Sequence, residues 1–291
     1  MRGFLAAVSL LATATAAKSS ICADGLYMIA ARGSLEPAQA KPGVFPAYSG
    51  SAGYVAELIA DKIAGSKIAG VKYPATMTNY VKSEGDGAAT MLQMAKEYHA
   101  SCPTSKMTLI GYSQGAQIVS DVLCGGVGGS FNHDAPLSPE IVKENVIAAV
   151  LFGDPTHIAN TSYDRGTSMH DGIFTRSNTT VCQQYDNIMA SWCDKGDKYC
   201  DSGKGQDALM IHESYLGIYN STMVDYVVGK WQKSTTTGNS TGSSTGNSTG
   251  SPTSSSGSTP TPSTDMASGL SSAQSFFLIW PMLLLSCGLL F

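Results

Sequence analysis

The stretch Met107-Thr-Leu-Ile-Gly111-Tyr-Ser113-Gln-Gly115 decides the fold of this chain. Largely apolar residues 107–110 predict a strand that leads into it, and residues 116–123 predict a helix that leads out. A serine between two glycines on a strand-to-helix turn has the pattern of a nucleophile elbow, where the turn is strained and only small flanking residues fit. A chance G-x-S-x-G in a glycine-rich chain is the alternative, and the strand and helix around the motif favour the elbow.

Apolar runs alternate with helical patterns on both sides of this motif. The predicted strands cover residues 26–30, 68–73, 107–110, 146–152 and 188–192, and the predicted helices cover 55–63, 88–98, 114–123 and about 214–231. Strands that are apolar on both faces and spaced by helices are typical of a parallel sheet covered on both sides. We therefore expect an α/β fold, a three-layer sandwich around a central, mostly parallel sheet, with its active site at the carboxyl ends of the strands.

A serine nucleophile needs a base, and the chain has five histidines. His99 lies in a predicted helix before the motif, where a packed or solvated histidine is expected. His133, His157 and His170 follow the motif in loops rich in Gly, Asn or Ser, with no distinctive acid nearby. His212 is the favoured base, because in α/β-hydrolase sheets the acid and then the base follow the nucleophile along the chain.

The segment from Cys193 to Cys200 lies just before His212 and contains Asp197. If the two cysteines pair, the small ring holds Asp197 on a rigid loop, as an acid that orients an imidazole requires. The alternative is a purely structural staple in which Asp194 and Asp197 are ordinary turn residues. Because the same chain also has the serine elbow, which needs an acid, the catalytic interpretation is favoured.

The second requirement of such a site is an oxyanion hole. The backbone N–H of Gln114, at the helix start, is one candidate donor, and Ser34, after the first predicted strand, is the second. An ordinary turn at Gly33-Ser34 remains equally open. His212-Glu213 begins like a zinc-binding helix motif, but Leu216 stands where its second histidine would be, so neither a metal nor a cofactor is predicted.

The two ends of the chain differ from its centre. Residues 1–17 have the pattern of a secretory signal peptide, and residues 18–233 are the right size for one folded domain. Residues 234–266 are a Ser/Thr/Gly-rich stalk that cannot bury enough apolar surface to fold. Residues 267–291 resemble a glycosylphosphatidylinositol (GPI) attachment signal that is removed, with a tail-anchored membrane span as the alternative.

Charge argues against one class of partner, and the cysteines and sequons agree with an extracellular protein. The net charge of −4 and the lack of a Lys/Arg cluster argue against nucleic acid as a partner. Of seven cysteines, Cys287 lies in the tail, and the other six are expected to form disulfides whose pairing the count leaves open: Cys22, Cys102, Cys124, Cys182, Cys193 and Cys200. Five sequons are glycosylation candidates: Asn160, Asn178, Asn220, Asn239 and Asn247.

These motifs together resemble the fungal cutinase and acetylxylan esterase family of small secreted serine esterases. The resemblance is carried by Ala31-Arg-Gly-Ser34, Cys102-Pro103, Gly111 to Gly115, Cys124-Gly-Gly126, Gly153-Asp-Pro155, Cys193 to Cys200 and His212. It implies a cutinase-like α/β-hydrolase fold, with Ser113 as nucleophile, Asp197 as acid, His212 as base, and Ser34 with Gln114 as the oxyanion hole.

The resemblance also implies how the cysteines pair. Cys22–Cys102 and Cys193–Cys200 are shared across the family, and Cys124–Cys182 looks like a bridge of the acetylxylan esterase branch. Ser168 and Asp201 stand where another pair of that branch would be. The Ala-Arg-Gly-Ser segment is more similar to the cutinase branch, so the branch stays open.

We therefore expect a secreted, GPI-anchored, monomeric serine esterase of the plasma membrane or cell wall, acting on acetyl groups of xylan or similar polysaccharides. Cutin or another hydrophobic polyester is the alternative substrate, and a wall or adhesion protein that kept the fold without activity is a third hypothesis. Polar residues around the presumed acid and base predict a polar rim and a preference for short acyl chains: Asp194, Lys195, Lys198, Tyr199, Glu213 and Ser214.

Overall fold

The computed structural model describes residues 21–38, 50–131 and 135–239, which belong to one compact unit. The predicted signal peptide, most of the stalk and the predicted attachment signal lie outside these residues. No helix among the described residues has the length and apolar character that crossing a membrane requires.

Six strands of the described part form one sheet in the order β2-β1-β3-β4-β6-β5, and every neighbouring pair is parallel. The strands are β1 (Tyr27–Ala31), β2 (Lys67–Gly70), β3 (Met107–Tyr112), β4 (Val146–Phe152), β5 (Asp164–Gly166) and β6 (Met189–Cys193). The helices are α1 (Gly50–Lys62), α2 (Tyr80–Ser101), α3 (Gln114–Cys124), α4 (Pro139–Asn145), α5 (Thr180–Gln183), α6 (Ala208–Glu213) and α7 (Tyr215–Asn239).

Alternate residues of each central strand enter two separate cores. Leu109 of β3 and Leu151 of β4 pack with α2 and α3 on one face, while Ile110 and Val150 pack with α1 and α7 on the other. Because successive side chains of a strand point to opposite faces, a strand buried on both sides must be apolar throughout. This burial produces the predicted three-layer sandwich and places the carboxyl ends of β3, β4 and β6 along one edge.

The predicted elements are present, most of them with shifted ends, while β4 has the predicted bounds. The second strand ends at Gly70 rather than Tyr73, three residues earlier than expected. The last helix continues to Asn239, eight residues beyond the predicted end and into the first residues of the predicted stalk. The hydroxyl groups of Ser234, Thr235 and Thr236 donate to carbonyls three or four residues earlier, and adding a residue to an existing helix costs far less than starting one.

Four short elements have no counterpart in the sequence-based prediction. They are α4, α5, α6 and β5, which contain seven, four, six and three residues. The edge strand β5 consists of Asp164, Arg165 and Gly166, so it shows no apolar pattern. Periodicity needs a longer window than these elements provide.

Three disulfides cross-link the described part: Cys22–Cys102, Cys124–Cys182 and Cys193–Cys200. They are the pairs that the family resemblance implied. The first spans 80 residues and the second spans 58, so both restrict the unfolded chain more strongly than the third, which spans seven. The small third ring shapes a local loop instead.

Candidate active site

Ser113 lies on the sharp turn between β3 and α3, with φ 54° and ψ −120°. A non-glycine residue in this region is strained, and its backbone is held by a hydrogen bond from its N–H to the carbonyl of Phe152. A Cβ on Gly115 would come within 2.0 Å of the Ala31 carbonyl oxygen, and one on Gly111 within 2.2 Å of the Gly115 carbonyl oxygen. Both glycines are therefore required for α3 to pack this closely on β1 and β3.

His212 faces Ser113 from the last turn of α6. Its Nε2 lies 2.9 Å from the Ser113 Oγ, and its Nδ1 lies 2.8 Å from the Asp197 Oδ2. Because Asp197 can only accept a hydrogen bond when ionised, Nδ1 carries the proton and Nε2 is free to accept one from the serine hydroxyl. Both hydrogen bonds are buried, with Ser113 9% and His212 4% exposed.

Two tyrosines hold the imidazole ring in this orientation. The Tyr112 ring stacks on His212 at 5.2 Å between centroids, and its hydroxyl donates to the His212 carbonyl at 2.9 Å. The Tyr199 ring contacts the imidazole edge-on at 4.6 Å. Neither tyrosine has a sequence signal of its own, although Tyr112 occupies the variable position of the G-x-S-x-G motif.

Asp197 lies in the loop that the Cys193–Cys200 disulfide closes, and its side chain is fully buried. Its Oδ1 accepts hydrogen bonds from the backbone N–H groups of Tyr199 at 2.7 Å and Cys200 at 2.9 Å. Burial by itself would raise the pKa of Asp197, but the bonds from His212 and from these two N–H groups outweigh it and bring the pKa below its ordinary value. Asp197 is therefore ionised at neutral pH, as its contact with His212 requires.

Ser34 and Gln114 are the two residues predicted to form the oxyanion hole. Ser34 lines the same cleft as Ser113, and its buried Oγ has no hydrogen-bond partner among the described residues. Gln114 begins α3, where the first backbone N–H groups of a helix lack a carbonyl partner within the helix. Its side chain is fixed by Ser83 and by the Thr76 carbonyl, which keeps it away from the cleft. This arrangement can supply donors to an anionic oxygen beside Ser113.

The cleft in front of Ser113 has a volume of about 340 Å³, and its lining is mostly apolar. Its apolar and aromatic residues come from separate loops and helices: Leu35, Met77, Tyr80, Tyr112, Pro155, Ile173, Phe174, Tyr199 and Leu209. Leu35 is 77% exposed, while Met77, Ile173 and Leu209 are each more than 40% exposed. An ester that enters this cleft therefore meets hydrocarbon surface at the mouth.

The expected polar rim is wrong for most of its residues. Of the six residues expected on the rim, from Asp194 to Ser214, only Tyr199 and Glu213 line the cleft. Asp194 is instead buried, and its Oδ1 accepts hydrogen bonds from the hydroxyls of Thr167 and Tyr219. The prediction failed because it considered only the sequence neighbours of Asp197 and His212, whereas the rim is built from segments far apart in the chain.

The remaining histidines lie elsewhere. His99 bonds to Asn145 through Nδ1 at 2.7 Å, and His133 lies outside the described residues. His157 and His170 each have an acid close to Nδ1 in the folded chain, although neither histidine contacts Ser113 among the described hydrogen bonds. Asp164 lies 3.8 Å from His157 Nδ1, and Asp201 lies 3.2 Å from His170 Nδ1. Folding brings these acids from residues 7 and 31 positions away in the sequence, beyond what local inspection detects.

Ser168 and Asp201, which stand at the positions of a missing cysteine pair, are in direct contact. The Ser168 hydroxyl donates to Asp201 Oδ1, and Asp201 Oδ2 accepts the backbone N–H of Gly196 at 2.7 Å. Gly196 precedes Asp197, so this hydrogen-bonded pair holds the loop that carries the acid. At these two positions, where a disulfide of the acetylxylan esterase branch is expected, the structure has a hydrogen bond instead.

The Asp201 clamp predicts a specific loss of stability in acid. Burial would raise the pKa of Asp201, but its hydrogen bonds from Gly196, Ser168 and His170 lower it below the ordinary 3.8. A lowered folded-state pKa stabilises the fold above the unfolded-state pKa, and this contribution is lost as pH falls through the folded-state value. Asp201→Asn is therefore expected to lower the free energy of unfolding at pH 7. This difference from wild type should shrink as the pH falls below about 3.8.

Chemical denaturation followed between pH 7 and pH 3 measures this difference. Asp207→Asn is the matched control, because Asp207 is exposed and makes no side-chain cap bond to α6. A stability difference for Asp201→Asn that stays constant down to pH 3, or that matches the Asp207 control, would show that the carboxylate does not clamp the loop.

Comparison with known proteins identifies relatives over the same region. The profile of the family described as Cutinase matches residues 22–231. "Cutinase 11" of Verticillium dahliae is 33% identical over 197 residues, which cover 64% of this chain and 65% of that protein. "Acetylxylan esterase" of Hypocrea jecorina is 31% identical over 188 residues, which cover 61% of each protein. The chain therefore spans less than two thirds of the length of these two relatives.

Solved structures also include close similarities. An acetylxylan esterase structure superposes with a TM-score of 0.61 and 29% identity, covering 72% of this chain and 99% of the other. The aligned part is thus nearly the whole of that enzyme. Residues 22–231, which the family profile matches, contain the sheet, the elbow and the loop that carries Asp197.

Proposed function

The chain belongs to the cutinase family, and from this we propose that it is a serine hydrolase of carboxylic esters that acts through an acyl-enzyme. The observation that carries the proposal is the continuous hydrogen-bonded series from Ser113 Oγ through His212 to Asp197, with distances of 2.9 and 2.8 Å. Serine hydroxyls are weak nucleophiles until a positioned base accepts their proton, and this series supplies that base and its orienting acid.

In the first half of the reaction, the Ser113 Oγ attacks the ester carbonyl carbon while its proton passes to His212 Nε2. The carbonyl oxygen becomes an anion, which the Ser34 hydroxyl or N–H and the Gln114 N–H stabilise. The bond between the carbonyl carbon and the alcohol oxygen then breaks, and His212 returns the proton to the departing alcohol. Asp197 stabilises the imidazolium that exists between these two proton transfers.

In the second half, His212 accepts a proton from water, whose oxygen attacks the acyl group on Ser113. The same donors stabilise the second oxyanion, and the proton passes to Ser113 Oγ as the acid leaves. The intact series from Ser113 through His212 to Asp197 makes a non-catalytic wall or adhesion protein the less favoured hypothesis. The similarity of this chain to proteins named as acetylxylan esterases also supports a catalytic function.

Two substrate classes follow from the relatives: acetyl esters of xylan or similar polysaccharides, and cutin or other hydrophobic polyesters. The apolar mouth formed by Leu35, Met77, Ile173 and Leu209 favours esters with a hydrocarbon chain. We therefore extend the proposed substrates from acetyl esters to longer aliphatic acyl groups, opposite to the preference that the polar-rim argument predicted.

The hydrolysis rates of a series of p-nitrophenyl esters test this substrate proposal. From acetate to hexanoate, kcat/KM is expected to rise by up to about fourfold per added methylene, because each buried methylene contributes about 0.8 kcal/mol. Leu35→Ser should reduce the gain for longer chains and leave acetate hydrolysis unchanged. Ile218→Ser is the control, because Ile218 is equally apolar and 55% exposed but lies outside the cleft lining.

A rate that is highest for acetate and insensitive to Leu35→Ser would contradict the hydrocarbon preference. Release of acetate from acetylated xylan in the same preparation would then support the polysaccharide substrate. Both outcomes leave the serine mechanism intact, because each still requires ester hydrolysis at Ser113.

We also propose that the protein is a secreted, glycosylated monomer, attached to the plasma membrane or cell wall through a GPI anchor. The supporting patterns are the signal at residues 1–17, the stalk up to residue 266 and the attachment signal at 267–291. Asn160 and Asn178 are exposed, as glycosylation requires, and Asn220 is half-buried. The side chains of Asn239 and Asn247 lie outside the described part.

The anchor predicts release from membranes by phosphatidylinositol-specific phospholipase. The released protein should lack residues 276–291 by mass spectrometry, because these belong to the signal that is removed. A membrane-bound protein that retains this segment would instead be held by a membrane span.

A further inference from the structure

Tyr215 begins α7, three residues after His212, and its hydroxyl lies in the centre of the loop that carries Asp197. The residue is 1% exposed. Its hydroxyl oxygen lies 2.8 Å from Asp197 Oδ2, 3.0 Å from the backbone nitrogen of Asp194 and 3.2 Å from the Cys200 Sγ. One buried hydroxyl thus contacts both arms of the disulfide-closed loop and the acid between them.

The direction of these hydrogen bonds follows from the chemistry of each partner. The backbone N–H of Asp194 can only donate, so it donates to the phenolic oxygen. The sulfur of Cys200 is in a disulfide and has no hydrogen to donate. The single phenolic proton therefore goes to the strongest acceptor present, the Asp197 carboxylate.

The surroundings keep this phenol protonated. Burial raises the pKa of Tyr215 far above its ordinary value, and the negative charge of Asp197 raises it further. The ring is also fixed by aromatic contacts with Phe152 and Tyr219. The donor is therefore present and directed at Asp197 throughout the pH range in which a histidine base would work.

We propose that Tyr215 is a positioning residue for the reaction, which holds Asp197 in place and shares the negative charge of Asp197 Oδ2 with His212. The inference rests on the proposed esterase function and goes beyond it by assigning a role to Tyr215. Asp197 Oδ2 receives two donors, the His212 Nδ1–H and the Tyr215 hydroxyl. Without the second donor, the carboxylate would be freer to move and its charge would act on the imidazole alone.

Tyr215→Phe removes the hydroxyl and keeps the ring. It is expected to lower kcat about tenfold or more, because small displacements of catalytic groups have large effects on rate, with KM for p-nitrophenyl butyrate unchanged. The acid limb of the pH profile of kcat/KM should move to higher pH. Without the Tyr215 hydroxyl, the charge of Asp197 acts on His212 alone and stabilises the imidazolium more strongly. Other titratable groups around the pair remain in this variant: Tyr112, Asp194, Tyr199, Glu213 and Tyr219.

Tyr219→Phe is the matched control. Tyr219 lies one helical turn further along α7, and its hydroxyl donates to Asp194 Oδ1 at 2.8 Å rather than to Asp197. The control should lose stability without shifting the acid limb. If both variants give the same kcat and the same profile as wild type, or if Tyr215→Phe shifts the profile no more than Tyr219→Phe, the proposal is wrong.

Incorporation of 3-fluorotyrosine at position 215 tests the same idea without deleting a group, should Tyr215→Phe fail to fold. Fluorine makes the phenol a stronger donor, so the acid limb should move to lower pH, and no movement would overturn the proposal.

Ser113→Ala, measured with these variants, distinguishes failure of the proposed esterase function from failure of the Tyr215 proposal. Loss of activity in Ser113→Ala supports the esterase function independently of the result for Tyr215.

Discussion

Ser113→Ala is expected to lower ester hydrolysis about 10⁶-fold, to a residual rate that still exceeds the uncatalysed one. The substitution removes the attacking oxygen, while the Ser34 and Gln114 donors and the cleft remain. Thermal unfolding should change little, because the strained backbone of the elbow is held by its neighbours rather than by the hydroxyl. Initial rates on p-nitrophenyl butyrate and circular dichroism melting curves measure both effects.

Ser214→Ala is the control for this variant. Ser214 lies two residues from His212, and its hydroxyl donates to the Ile211 carbonyl rather than into the cleft. The double variant Ser113→Ala/His212→Ala should be no slower than Ser113→Ala, because members of such a series act as a unit. Substantial turnover by Ser113→Ala would exclude Ser113 as the nucleophile.

Asp197→Asn is expected to lower kcat by about 10⁴-fold at neutral pH. An asparagine can still accept the backbone N–H groups of Tyr199 and Cys200, so the loop should keep its shape. Its amide nitrogen, however, presents hydrogens to His212 Nδ1 and favours the tautomer with the proton on Nε2. That tautomer cannot accept the Ser113 proton.

Asp194→Asn is the matched comparison, because Asp194 lies in the same loop region and is also buried. Its side chain accepts hydroxyl groups of Thr167 and Tyr219 and does not contact His212. Asp194→Asn should keep most of the activity, with its effect confined to stability. If Asp194→Asn proved as inactive as Asp197→Asn, the loop as a whole rather than the single acid would account for the loss.

The elbow, the strands and the long helices were predictable because their signals are local. A strand such as 146–152 is buried on both faces, so its apolar run is visible without knowing its neighbours, and its predicted bounds agree with the structure. The G-x-S-x-G motif is likewise visible because close packing at Gly111 and Gly115 excludes any side chain. Short elements such as α6, which carries His212, have too few residues for a periodic pattern.

The site residues required more than local signals. Ser113 and His212 are 99 positions apart. The small Cys193–Cys200 ring indicated Asp197 as the acid, and the family resemblance supported it. The structure brings the three residues together because β3 and β6 end at the same edge of the sheet. Tyr215 had no signal, since a tyrosine in an amphipathic helix is usually a core residue.

By itself, the sequence determined the layered α/β architecture, the position of the strained serine and the number of cysteines available for disulfides, because periodicity, turn chemistry and composition act over a few residues. Only the tertiary structure decided what faces Ser113. The rim expected to be polar is apolar, because Leu35, Met77, Ile173 and Leu209 come from four distant segments. The direction in which a loop side chain points depends on packing between segments, which no local pattern records.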